Sequence, residues 1–76
     1  MKNNYNIVIE YNDLLQKLSD AGYNTTRIRK EQIFPESTLT KIRNNKDISL
    51  RNLVKISLLT NVPINKLINY RYEKRG

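Results

Sequence analysis

Punctuation, more than any apolar run, decides what this chain can become. Gly22, Pro35, the polar run Asn44 to Asp47, Asn61 and Pro63 recur at short intervals, and each stops or restarts a helix. Between them the apolar residues keep helical spacing, so the chain must gather several short helices around one core. Leu14, Leu15, Leu18 and Ala21 mark a first helix over about 12–21, and Gly22 follows where a left-handed stop is expected. Asn24 can cap a second over about 25–32, in which Ile28 faces inward. Pro35 suits a first turn, so a third helix runs from Pro35 or Glu36 to Asn44, with Leu39 and Ile42 inward. Ser49 caps a fourth over about 50–60, where Leu50, Leu53, Val54, Ile56 and Leu59 form a wide apolar face. After Pro63, Ile64, Leu67 and Ile68 supply a short fifth.

The two ends follow another rule. Tyr5, Ile7, Ile9 and Tyr11 alternate with Asn6, Val8 and Glu10, a period of two that suits a short strand or extended arm. Tyr70 and Tyr72 alternate in the same way, so the ends could pair within one chain or across a dimer. Without that pairing, the basic tail YRYEKRG is expected to fray.

Seventy-six residues suffice for one domain, 1–76, with its core over 11–69. With neither Cys nor His, the chain lacks thiolate metal ligands, disulfides and the commonest general base. Its seven carboxylates show no paired spacing beside a Gly-rich loop, so neither an enzyme nor a metal or cofactor site is expected. Without an apolar run of membrane length or a signal-type start, a cytoplasmic protein with no membrane partner is expected.

Charge supplies the first functional clue. Fourteen Lys and Arg against seven Asp and Glu leave a net +7, unevenly spread. Residues 1–24 carry two basic groups against three acidic, residues 25–51 seven against three, and residues 52–76 five against one. Such a field favours a polyanion, although a solvated surface charge would have the same composition. The second and third helices are also close enough in sequence to cross steeply, which would leave the polar face of the third projecting from the body.

The run GYNTTRIRKEQIFPESTLTKIRNNKDISLRNLVKISLLTNVPINKLI resembles the lambda-repressor-like helix-turn-helix regulators, a family that includes phage repressors and Cro proteins. The resemblance implies an all-α, compact five-helix domain with its helix-turn-helix over 25–44, binding operator double-stranded DNA through the major groove, often as a dimer. It implies that Glu36, Ser37, Thr40 and Lys41 face base edges. Lys41 can donate to guanine, Glu36 can accept from cytosine, and the Thr40 methyl can touch thymine. Thr25, Thr26 and Arg27 on the second helix, and Arg43, Asn44, Lys46 and Arg51 farther on, then fall at phosphate-facing positions. The chain departs from the family at Arg29, where a small Ala is common, and at Ile33, where Gly is common. Ile33 is β-branched and disfavours positive φ, so a different turn is expected.

A monomer of this size makes few base contacts, so a homodimer is expected, with Ile64, Leu67, Ile68, Tyr70 and Tyr72 at its interface. The tyrosines could instead stack on single-stranded bases, but packing or a dimer surface fits them better. The competing function on the same scaffold is a protein-interaction module, such as an antitoxin, an inhibitor or a cofactor of a larger regulator.

Overall fold

Helices end where the punctuation falls, but the ends of the chain overturn the all-α expectation. The computed structural model describes residues 4–74, so parts of the Asn-rich start and of the basic tail lie outside the described residues. The order is β1 (Tyr5–Tyr11), α1 (Leu14–Asp20), α2 (Thr25–Lys30), α3 (Glu36–Arg43), α4 (Leu50–Thr60), α5 (Ile64–Leu67) and β2 (Ile68–Lys74). The two strands pair antiparallel within one chain, from Tyr5 opposite Lys74 to Tyr11 opposite Ile68. This is a small mixed α/β domain. The physical reason is the alternation of Ile and Tyr at both ends, which suits a pleated ribbon and leaves no helical stripe.

Capping accounts for the helices. The Asn24 side chain accepts from Arg27 N–H, and Ser49 Oγ accepts from Asn52 N–H, each satisfying a donor that helix geometry leaves free. Three C-termini use one device, with a left-handed residue followed by a backward hydrogen bond: Gly22 and then Tyr23 N–H to Leu18 O, Gln32 and then Ile33 N–H to Ile28 O, Asn45 and then Lys46 N–H to Lys41 O.

The core comprises Leu14, Leu18, Ile28, Phe34, Leu39, Ile42, Leu53, Ile56 and Leu67, drawn from all five helices and the turn before α3. Each such side chain contributes roughly 1.5–3 kcal/mol relative to exposure. α1 packs on α3 and α4, and α4 packs on α5. Burial divides the wide face of α4: Leu53 and Ile56 point inward, whereas Leu50, Val54 and Leu58 form an exposed row.

Asn12 joins ribbon to body with every polar group it has. Its N–H donates to Leu67 O at 2.8 Å and its Nδ2 to Lys66 O at 3.1 Å, while its Oδ1 accepts from Asn69 Nδ2 at 2.9 Å. Its carbonyl accepts from Lys17 Nζ. This explains why α1 begins at Leu14 and not at 12: Asn12 is committed to α5 and β2, and Asp13 follows with φ 47°. Beyond that junction the ribbon projects. The radius of gyration is 14.2 Å, against about 11 Å for a sphere-like domain of this length, which reflects that projection. No helix among the described residues is long and apolar enough to cross a membrane.

Asn12→Ala removes two side-chain hydrogen bonds at the junction and should cost about 1–3 kcal/mol. Hydrogen exchange should show amides of β1 and β2 losing protection before those of α4.

Candidate nucleic-acid interface

The turn between α2 and α3 decides what α3 presents. Gln32 takes the left-handed conformation at φ 52°, which lets Ile33, one residue later, keep ordinary backbone and turn its side chain toward the core. The turn thus differs from the glycine form, as β-branching at position 33 requires. Lys55 of α4 holds it from behind: its Nζ donates to Ile33 O and lies 5.0 Å from the centroid of the Phe34 ring. Phe34 itself is buried. Five residues, 31–35, separate the helices, where the bounds expected from the sequence left two or three.

With the turn pinned, α3 is sharply divided. Thr38, Leu39 and Ile42 are buried, while Glu36, Ser37, Thr40, Lys41 and Arg43 are exposed. The four candidate base readers share one side because positions i, i+1, i+4 and i+5 coincide on a helix. Pro35 precedes α3 without a side-chain cap, leaving the positive end of the helix open.

Electrostatics separates the cations into two groups. Arg27 is bound to its surroundings: Nε donates to Glu31 at 2.7 Å, Nη1 donates to Gly22 O at 3.0 Å, and the guanidinium sits 4.5 Å over the Tyr23 ring. Its pKa is raised, chiefly by the hydrogen bond to Glu31. It braces the corner between α1 and α2, which leaves fewer of its donors for the phosphate role expected of it. Arg29 donates from Nε and Nη2 to both oxygens of Glu36 at 3.0–3.2 Å. That hydrogen-bonded pair holds the Glu36 carboxyl below the usual range and raises Arg29. Glu36 therefore arrives at the exposed face with its charge offset and part of its accepting capacity in use.

Lys30, Lys41, Arg43, Lys46 and Arg51 are exposed and enter none of the four ion pairs among the described residues. Thr26 and Asn44 are exposed, and Thr25 is half-buried. Among the residues expected at a dimer surface, Leu67 must be corrected: it is fully buried in the chain's own core, and its carbonyl is taken by Asn12. Ile64 and Ile68 are half-buried, while Tyr70 and Tyr72 are exposed.

Sequence reading missed the Lys55 clamp, the Arg29–Glu36 pair and the burial of Phe34. Only the last had a local signal, an aromatic residue next to Pro35. The chain matches no known protein family, no curated protein and no solved structure.

Two measurements check the turn and its ion pair. Gln32→Val should lower stability by about 1–2 kcal/mol in urea unfolding, and Gln32→Gly should match or exceed the parent. Because the folded pKa of Glu36 is depressed, its stabilising contribution is whole above the ordinary value of about 4.3 and is lost as the pH falls through the lower folded value. Carboxyl NMR titration should show that depression, and Arg29→Ala should remove most of it, leaving the weaker attraction of Arg43.

Proposed function

We propose that the chain is a sequence-specific double-stranded DNA-binding regulator, most simply a repressor, in which α3 enters the major groove and α2 crosses the backbone. The observation that carries the reading is the division of α3: an inward face locked into the core, and an outward face of Glu36, Ser37, Thr40 and Lys41 flanked by cations that enter no ion pair among the described residues. Lys41 offers a donor to guanine O6 and N7, and Thr40 offers a methyl to thymine. Lys30, Arg43, Lys46 and Arg51 suit phosphates, each neutralised phosphate releasing counterions. Arg29 keeps Glu36 from repelling the backbone, yet leaves carboxylate lone pairs for a cytosine amine.

Occupying an operator would exclude polymerase without any ligand or sensor unit. One copy has too few base readers for tight specificity, so the reading calls for a homodimer on a palindrome whose half-sites lie about one helical turn apart. A second reading, a protein-interaction module, is favoured by one observation, the apolar side of the ribbon.

Selection of duplexes from a random pool, followed by anisotropy titrations of the winner and a scramble at two salt concentrations, tests the proposal. A palindromic winner bound about a thousandfold better than the scramble is expected. Lys41→Ala should cost about 1–3 kcal/mol on that winner and relax one base position, whereas Lys46→Ala should weaken all duplexes alike and flatten the salt slope by about one. Equal, salt-sensitive binding to both duplexes would overturn the reading.

A further inference from the structure

Strand register sorts the ribbon into two unlike faces, because residues directly opposite one another share a side. One face carries Tyr5, Ile7, Ile9 and Tyr11 against Lys74, Tyr72, Tyr70 and Ile68. The other carries Asn6, Val8 and Glu10 against Glu73, Arg71 and Asn69, with Arg71 bridging Glu10 and Glu73. Tyr11 and Ile68 rest on the helical body, but farther out the apolar face is open: Ile7 is 61% exposed, Tyr70 75% and Tyr72 66%. Two strands with an uncovered apolar face are marginal in water.

We propose that this face is where two copies of the chain associate, ribbon against ribbon across a two-fold axis, in a four-stranded, two-layer sandwich. The area suits such a pair. The exposed parts of Tyr5, Ile7, Ile9, Tyr70 and Tyr72 sum to roughly 500 Å², so two copies that covered them fully would remove about 1,000 Å², the threshold of a specific interface. Charge suits it too. The described ribbon residues include two acidic and two basic groups, Glu10 and Glu73 against Arg71 and Lys74, so ribbons can approach although each chain is +7. Joining edge to edge would extend the sheet but leave its apolar face in water.

The exposed row of α4, Leu50, Val54 and Leu58, is the rival surface. It is one side chain wide and is flanked by Arg51 and Lys55, which a symmetric contact would bring against their own copies. The sandwich supplies the two-copy arrangement that the DNA reading calls for and rests on that reading for its use. Its test needs protein alone.

Sedimentation equilibrium of the full chain should give twice the chain mass at concentrations of tens of micromolar, within reach of an interface of this size. Ile7→Glu should weaken association at least a hundredfold with helical circular dichroism retained, and Leu58→Glu should leave it unchanged. Because the chain has no Cys, Ile7→Cys provides an independent probe. A short bis-maleimide spanning the ~10 Å between packed sheets should link Ile7→Cys copies but not Leu58→Cys copies. Should Ile7→Glu unfold, the cross-link decides. A parent that stays monomeric throughout, or a dimer broken by Leu58→Glu and unlinked at Ile7→Cys, overturns the proposal. A ribbon dimer without duplex preference would sink the DNA reading alone, and a monomer that selects a duplex would sink this one alone.

Discussion

Everything outside the helical body depends on one asparagine. Asn12 stands where a period of two gives way to a period of 3.6, and its main chain and side chain together satisfy α5, β2 and Lys17. A hydrophobic residue there could pack but could not hold two unlike elements in register, because burial has no direction and hydrogen bonds do. The ribbon is therefore aimed by polar contacts and only then extended by Ile and Tyr.

The candidate interface shows a similar division of labour. Leu39 and Ile42 fix which side of α3 is hidden, but they do not set how the helix leaves α2. That is decided by Gln32 and by Lys55 reaching the turn from α4. The same economy appears in Arg29, whose guanidinium restrains the acidic start of α3 while Lys41 and Arg43 enter no ion pair among the described residues. A surface rich in positive charge can thus display one carboxylate without an unbalanced repulsive centre.

How much was legible in the sequence follows from range. Asn24, Ser49 and Gly22 act on backbone within a few residues of themselves, and their roles could be read directly. The alternation at Tyr5–Tyr11 was equally visible, as was that of Tyr70 and Tyr72, but with the two at opposite ends of the chain, spacing left open whether they would pair within one chain or across a dimer, and the fold class was read from the helices alone. Arg29 and Glu36 sit on different helices, seven residues apart and beyond the three or four that side chains bridge within one helix, so the pair exists only once the turn is known. On α4 the sequence shows a broad apolar arc, and spacing cannot say which part of an arc the body covers. Leu67 failed for the same reason, since an apolar residue in a short closing helix suits an interface or a core equally. The base and phosphate readers of the proposed interface were named from the resemblance, and what the structure adds is exposure for all of them but the half-buried Thr25.

Pairing Tyr11 with Ile68 has a kinetic side. The strands are no hairpin; their nearest residues lie 57 apart, with every helix in between. Closing a loop of that length costs more entropy than closing the shorter ones between successive helices, so the ribbon is expected to form after them. During synthesis β1 leaves the ribosome with its Ile and Tyr uncovered and has no partner strand until β2 follows. For that interval the growing chain exposes an unpaired edge of the kind on which wrong strand pairing begins.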